Sequence, residues 1–551
     1  MSINSALTMA VNSLQVNQLA LSVVQNNVAN MNTAGYSKQR VNLGTRFVGG
    51  LEATNASSQA SQNAGVQITS ISRYSNEYLA EYLRNQNSNL KYYSTESDIA
   101  NHITTLMDEL SDSGLSASLD AFYTAASNLQ QNPTNTTART DYIEKATNFA
   151  IAINSKYNDL ASYRTTLVGD GTEASMKASQ LTDNVNKANA LLEDLAEINK
   201  RIISSGTVNS AANNLYDQRD AVLSELSDYL NITTSIGDTG VASVSLGGLD
   251  LVRHTTVSGK LTMKANYQTA DDVRVTIGLE DSDGNVVKSD INDRITGGSV
   301  GAMLKMGGTS KTDLTVQSAI DLLNDLASGF AEVINGIQTQ GWVEQSDGSY
   351  IPDPNASSFA MSLGTDENGD KILASPTGKI FVSNDGSNYI NASNISVNSS
   401  LRTNLSGISA GLVTGSASDF TNTVEISGEV GKQYTLVTEI DRYAVGNGKN
   451  MGAVINTRNS TTSSTLNNLS PEDFLMAGVS KIGIQSQSIS NQESSQDAIC
   501  SSIESQLLSE TSVDLNEELT DMIKYQRSYE ASARVFNACC DILNVLVNLG
   551  A

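Results

Sequence analysis

The chain has 551 residues, with 59 acidic against 34 basic side chains, a formal charge of -25 and a pI near 4.4. That length supports several domains, each with a core of its own, while the acidity argues against nucleic acid and anionic membrane surfaces, which attract basic patches. Three cysteines, Cys500, Cys539 and Cys540, make no disulfide framework, and adjacent ones bridge poorly; they read as small apolar packing residues. No window approaches the roughly 20 apolar residues of a membrane span, and the N-terminus lacks the positive flank and unbroken apolar run of a secretory signal.

The first 37 residues carry apolar side chains at alternating steps of three and four: Ile3, Leu7, Ala10, Leu14, Leu21, Val24, Val28 and Met31, with Asn17 the one interruption. This is a coiled-coil seam. The far end repeats it through Leu515, Leu519, Met522, Tyr529, Ala533, Phe536, Cys540, Leu543 and Val547, with Gln526 as the polar exception. No charged residue precedes Lys38, and Asp541 is the only one after Arg534. A helix exposed to water carries charge on its solvated face, whereas Ser, Thr, Asn and Gln can be covered without burying an ion. Both ends are therefore expected to pair and to be covered by other subunits.

After Asn26-Asn27-Val28-Ala29-Asn30-Met31-Asn32-Thr33-Ala34-Gly35-Tyr36-Ser37, where Asn and Gly end the helix, an extended segment runs to about Ile71. Helical spacing resumes near Tyr74 and continues to Leu110, where Ser111-Asp112-Ser113-Gly114 stops it; a short helix covers about Ser116 to Leu129. The longest helical region sets Tyr142, Ala146, Phe149, Ile153 and Leu160 in one row and Leu181, Val185, Ala188, Leu192, Leu195 and Ile202 in a second, with a break at Gly169-Asp170-Gly171. These read as antiparallel bundle helices, followed by a shorter helix through Leu215, Val222, Leu226 and Tyr229. From about Ile232 the alternation has period two, with Asp281-Ser282-Asp283-Gly284-Asn285 as a hairpin turn. Helical spacing returns over about Val300 to Gln340, interrupted at Gly307-Gly308, before a second strand-and-turn stretch to Tyr443. Ser470-Pro471-Glu472-Asp473 starts a helix that leads almost directly into the C-terminal one.

The expected fold is mainly α with inserted β domains. Residues 1–37 and 513–551 form terminal coiled-coil helices, and 38–231, 296–340 and 444–512 form a helical-bundle domain. Residues 232–295 form a β domain, and 341–443 form an outer variable β domain.

Little chemistry shows itself. His102 on a helical row and His254 in a β segment are about 150 residues apart, with no Cys or His near either to complete a metal or acid-base site. Gly446-Asn447-Gly448-Lys449-Asn450-Met451-Gly452 lacks the Lys-Ser/Thr ending of a phosphate loop and reads as a plain loop. Asp281 to Asn285 and Asp366-Glu367-Asn368-Gly369-Asp370 lack the acid spacing of calcium loops and read as turns. Asp217-Gln218-Arg219-Asp220, the densest polar cluster, reads as first-turn charges orienting a helix. No cofactor, metal or catalytic residue is expected.

Asn26, Asn27, Asn30, Asn32, Thr33, Gly35 and Tyr36 resemble the Asn-Asn-x-Ala-Asn-x-Asn-Thr-x-Gly-Tyr motif of the bacterial flagellar axial proteins, the rod, hook and hook-associated subunits. Val513 to Glu518 with Tyr525 to Val535 is similar to the C-terminal signature of that group. Within it, Leu215-Tyr216-Asp217-Gln218-Arg219-Asp220 and Gly297-Gly298-Ser299-Val300-Gly301-Ala302-Met303-Leu304 resemble interior segments of the FlgK family of hook-associated proteins, as does the following Leu322 to Gly341. Lys305-Met306-Gly307 departs from the Asp and Arg with which that family continues, implying loss of a local charge pair.

The resemblance implies a non-enzymatic structural subunit at the junction of hook and filament, outside the cell, exported through the flagellar type III channel with an uncleaved N-terminal signal. It implies as partners further copies in a ring, the hook protein, the neighbouring hook-associated junction protein, and an export chaperone on the C-terminal helix. It implies neither nucleic acid nor membrane insertion. The rival readings are another axial subunit of hook or filament type, or a secreted enzyme or adhesin on a flagellar scaffold.

Overall fold

The structure is a computed structural model that describes residues 3–33, 35–48, 62–107, 114–205, 210–269, 272–308, 313–365, 369–420, 422–425, 433–436, 444–460 and 463–549. Helix α1 (Ile3–Asn30) leads into an antiparallel hairpin, β1 (Gln39–Val48) with β2 (Gln62–Arg73). A helical run follows: α2 (Glu77–Leu106), α3 (Leu115–Gln131), α4 (Thr136–Val168), the single turn α5 (Glu173–Lys177), α6 (Gln180–Ser205) and α7 (Ser210–Tyr229). Next come β3 (Ile232–Ile236), β4 (Ala242–Leu246), β5 (Leu249–Arg253) and β6 (Thr256–Val257), an antiparallel four-stranded sheet in sequence order. The strands β7 (Lys260–Thr269), β8 (Asp272–Glu280) and β9 (Val286–Lys288) make a three-stranded sheet.

Helices α8 (Gly298–Met306) and α9 (Val316–Gln338) return to the bundle. Beyond them lie β10 (Trp342–Glu344) with β11 (Tyr350–Pro352), then β12 (Ser358–Thr365), β13 (Lys371–Ala374), β14 (Phe381–Ser383), β15 (Ile395–Val397), the short α10 (Ser399–Thr403), β16 (Gly411–Thr414), β17 (Asn422–Glu425) and β18 (Gln433–Leu436). Strands β16, β12, β13, β18 and β17 form one sheet in that order, and β14 pairs with β15. Helix α11 (Lys449–Asn456) precedes α12 (Pro471–Thr511) and α13 (Leu515–Leu549). The Ser111 to Ser113 stop and the Asp366 to Asn368 stretch lie outside the described residues.

One apolar core runs through the body. The expected rows of α4 and α6 are in it, with Tyr142, Ala146, Phe149, Ile153, Leu160, Leu181, Ala188, Leu192 and Leu195 all fully buried. Its centre is aromatic: Phe330 of α9 meets Phe149 of α4 at 4.8 Å, Phe381 of β14 at 5.2 Å and Phe122 of α3 at 5.3 Å between ring centroids. The β material after α9 is thus divided. Residues around 380–410 pack into the helical core, whereas Trp342, Phe359, Met361, Leu373 and Phe420 build a separate small core under the five-stranded sheet.

Polar side chains fix the first part to the bundle. The Asn335 amide exchanges two hydrogen bonds with the backbone of Phe381, at 2.8 and 2.9 Å. Buried Arg139 donates to the carbonyls of Pro133, Leu405 and Ile408, and with no carboxylate among these partners its pKa falls to about 10 through burial.

Four local expectations change. Asp217 to Asp220 lies in the middle of α7, so it caps no helix end. His254 occupies the turn after β5 at φ 56, outside any strand. Lys449 to Met451 opens α11 rather than continuing a loop, and Asn450 is fully buried there. Lys305 is ion-paired after all, to Glu96 of α2 at 2.5 Å, since α8 packs across that helix. The Asp281 to Asn285 segment is the expected turn between β8 and β9, closed by the Asp281 carboxylate accepting the N–H groups of Asp283 and Asn285.

Candidate assembly surface

Helices α1 and α13 pack against each other and, with the β1/β2 hairpin on α1, form an arm outside the body's core. Its apolar cluster is small and separate: Ala20, Val23 and Val41, flanked by Ile68, Ile71 and Tyr525. Polar groups do much of the matching, for example Ser13 Oγ against Ser532 Oγ at 2.7 Å. This explains the uncharged helix, since a hydroxyl or amide enters such a seam more cheaply than an ion.

The expected seams are partly displaced. On α1, Ala10 and Val24 are buried and Ile3, Leu7, Leu14, Leu21 and Val28 are half-buried, but Met31 is exposed and the deepest positions, Ala20 and Asn27, lie outside the expected row. On α13 the expected Met522, Ala533, Phe536, Cys540 and Leu543 turn inward, together with Glu518, Tyr525 and Cys539. Leu515, Leu519 and Tyr529, expected in the seam, are exposed together with Ile523, Val535, Ile542 and Val545. Val547 lies within α13, and its side chain is outside the described residues. A monomer therefore leaves a second apolar stripe bare along α13. The signal was available in the sequence, because the helix is apolar on more of its circumference than one partner can cover.

The Asn-rich turn after α1 is a closed polar knot. Asn27, 1% exposed, donates to the Gln39 carbonyl at 2.9 Å and to Glu518 Oε2 at 3.0 Å. Its Oδ1 accepts the Gln39 N–H at 3.0 Å and the Tyr36 hydroxyl at 2.8 Å. Asn26 donates to the Tyr36 oxygen at 3.3 Å, and Asn30 donates back to the Asn26 carbonyl at 2.9 Å. Thr33 donates to Asn30 at 3.4 Å, Asn32 is exposed, and Gly35 turns the chain at φ +75, where a Cβ would be strained. Lys38 bridges to Glu517 at 2.6 Å and to Glu518 at 3.5 Å. Burial alone would lower the Lys38 pKa, but those two carboxylates outweigh it and hold it above the usual lysine value. Burial, with the charges of Asp217 and Glu518, pushes the Tyr36 phenol up to about 12.

The α7 cluster ties this arm to the body. Arg73, at the end of β2, reaches Asp217 at 2.9 Å and Asp220 at 2.5 Å. Burial would depress its pKa, but Asp220 and Asp217 raise it. Asp217 is itself pushed up by burial, more than Arg73 pulls it down, so its desolvation is incompletely returned. Arg219, 2% exposed, grips Asp220 at 2.6 Å and the Gly240 carbonyl at 2.5 Å, while Gln218 points to solvent. Much further along the chain, Gly298 lets α8 start against the end of α7, since a Cβ there would sit 2.3 Å from the Tyr229 carbonyl. The sequence marked both segments without indicating that the first fastens the arm.

A family profile described as the flagellar hook-associated protein FlgK helical domain matches residues 100–350, and one described as the flagellar basal body rod FlgEFG protein C-terminal matches 504–549. The chain is 25% identical to flagellar hook-associated protein 1 of Bacillus subtilis (strain 168), over 97% of this chain and 96% of that one. The protein of the same name from Salmonella typhimurium (strain LT2) is 23% identical over 99% and 100%. These matches support the FlgK family of flagellar hook-associated proteins for this chain. The flagellar hook junction protein FlgK from Burkholderia pseudomallei has a similar fold, with a TM-score of 0.53 at 15% identity, over 77% of this chain and 99% of that one. Among the described residues no group of His, Cys, Asp or Glu is placed to hold a metal ion, and no helix is long and apolar enough to cross a membrane.

Proposed function

We propose that this chain is a structural subunit of the bacterial flagellum that joins hook to filament by self-assembly through its terminal helices. The observation that carries the mechanism is the bare stripe of α13, from Leu519 and Ile523 to Val535, Ile542 and Val545, on a helix whose other side already holds α1. Large apolar side chains left exposed along this face, with Arg527, Glu530 and Arg534 between them, mark an interaction surface on an otherwise polar, acidic molecule. In this reading Ile3 to Met31 and Leu515 to Val547 make up the assembly helices, the Asn26 to Tyr36 knot sets the angle at which the chain leaves them, and Asp217 to Asp220 holds the body at that angle. The body and β sheets lie outside the tube core.

The partners are further copies of the chain in a ring, the hook protein, and the neighbouring hook-associated junction protein. Before assembly the bare α13 stripe is covered by an export chaperone, and the protein leaves through the flagellar channel. Deleting the gene in the source bacterium is expected to abolish swimming and to release unpolymerised filament protein into the medium, with both restored by the intact gene. Normal swimming of the deletion strain would sink the junction reading.

The knot also gives the assembled arm an alkaline limit. In a released arm Tyr36 ionises near pH 10, whereas in the knot it does so only at about 12. A raised folded value stabilises the ordered form below pH 10, and that contribution is lost as pH climbs through the interval to about 12. Lys38, also raised, acts in the same direction. Release of the protein from isolated flagella is therefore expected to rise across this window, and Tyr36→Phe to flatten the rise, as read by sedimentation at stepped pH.

A further inference from the structure

A cleft of about 720 Å³ opens where the arm meets the body, between the Asn32 to Ser37 turn, α2, α7 and the end of α12. Five carboxylates line it: Glu77 and Asp220 are ion-paired to Arg73 and Arg219, whereas Glu225, Asp228 and Glu504 have no ion-pair partner among the described residues. Burial, more than Lys91 nearby offsets, pushes Asp228 above the usual carboxylate range, with Glu225 adding to the rise. Arg84 lines the same cleft at 6% exposure; it donates to Thr234 Oγ1 at 3.2 Å, but its Nε finds no acceptor. Leu508, 51% exposed, stands in the cleft wall. A buried guanidinium with one N–H left without an acceptor is costly, as is the partly desolvated Asp228, while exposed Glu225 and Glu504 add negative charge at the cleft mouth that draws a cation. The fitting occupant brings a cation, an acceptor and an apolar side chain on one short surface.

The chain carries such a surface on the bare side of α13. Ile523 is 59% exposed, Arg527 follows one helical turn later, and among the described residues the Arg527 guanidinium pairs only with Glu530, at 3.4 Å. Val513 lines the cleft, and Arg527 lies about 18 Å up the helix from Leu515 at 1.5 Å per residue, so a straight α13 cannot bring its own stripe back to the cleft. We propose that the cleft seats the Ile523, Arg527 and Glu530 face of a second copy's α13. Arg527 meets Glu225, Asp228 and Glu504, Glu530 supplies the acceptor for Arg84, and Ile523 covers Leu508. This rests on the reading of the protein as a self-assembling subunit, and adds to it which surface each copy offers the next.

The test uses the full chain with its three cysteines changed to Ser and carrying Leu508→Cys with Ile523→Cys. Mild oxidation of isolated flagella is expected to give cross-linked dimers and a ladder of multiples, absent from either single-cysteine chain. Independently, Glu504→Arg is expected to reduce incorporation at hooks roughly tenfold, as reversal of a desolvated charge pair does, and Arg527→Glu in the same chain to restore it. Circular dichroism of each purified chain separates this from misfolding. Should the cysteine chain fail to incorporate, the charge-reversal pair decides alone. Incorporation without cross-links, links only to a protein of another size, Glu504→Arg incorporating like wild type, or failure of Arg527→Glu to restore would overturn the proposal. Absence of the wild-type protein from hooks would instead overturn the junction reading.

Discussion

A chain trimmed to residues 38–512 is expected to remain soluble and folded while losing all capacity to join hooks. Among the described residues, none of 1–37 or 513–551 belongs to the body's core, whose members run from Ile99 to Ile489. The arm has its own small cluster and meets the body through the hairpin, the knot and the Arg73 pairs. Groups that share no partners contribute to stability nearly independently, so unfolding of the trimmed body should stay within about 0.5 kcal/mol of the full chain's. The arm itself depends on packing, because an uncharged helix with few side-chain pairs is marginal in water. In the free monomer the amides of α1 and α13 are accordingly expected to exchange without protection, and to become protected in the assembled flagellum. Strong protection in the monomer would count against coupled folding and assembly.

Phe330→Ala is expected to destabilise the body by about 3–5 kcal/mol, the range for large aromatics removed from a well-packed core. Phe330 is fully buried and its ring meets three others, contributed by α3, α4 and β14. The neighbours cannot collapse into the space, because each is held from a different direction and Phe381 is fixed through the Asn335 amide. Each lost aromatic pair adds about 0.5–1.5 kcal/mol beyond burial, which places the change toward the upper end. Urea unfolding measures it, with an unchanged m-value expected if the denatured state is unaffected. Phe359→Ala, in the separate small core beside Trp342 and Phe420, should instead loosen the five-stranded sheet and leave the body's transition in place.

The body's helices could be read directly because their apolar residues keep one face over many turns: Tyr142 through Leu160 and Leu181 through Ile202 fell where the spacing put them. The Ser470 cap was equally legible, its side chain accepting the Asp473 N–H at 3.1 Å. Residues 380–410 misled because short apolar runs between turns look alike whether they lie on an outer sheet or under a helix. Which they do depends on whether a facing residue such as Asn335 offers backbone partners. The α13 row misled for a related reason. Apolar residues occupy enough of that helix for two seams, and only the position of α1 selects Glu518 and Tyr525 over Leu515, Leu519 and Tyr529, while Met522, Phe536 and Leu543 stay inward as expected.

By itself the sequence determined that the two ends are long helices, the first without charge and the second nearly so after Arg534, around a helical and β interior, and it marked the Asn26 to Tyr36 and Asp217 to Asp220 segments. Local periodicity and turn chemistry are written in neighbouring residues. Tertiary structure alone decided that Asn27 closes a knot around Glu518 from the other end of the chain and that Arg73 fastens the arm to α7. It also decided which side of α13 stays bare. These depend on contacts between residues up to 491 positions apart, and no local pattern encodes which of several compatible partners the folded chain brings within hydrogen-bond reach.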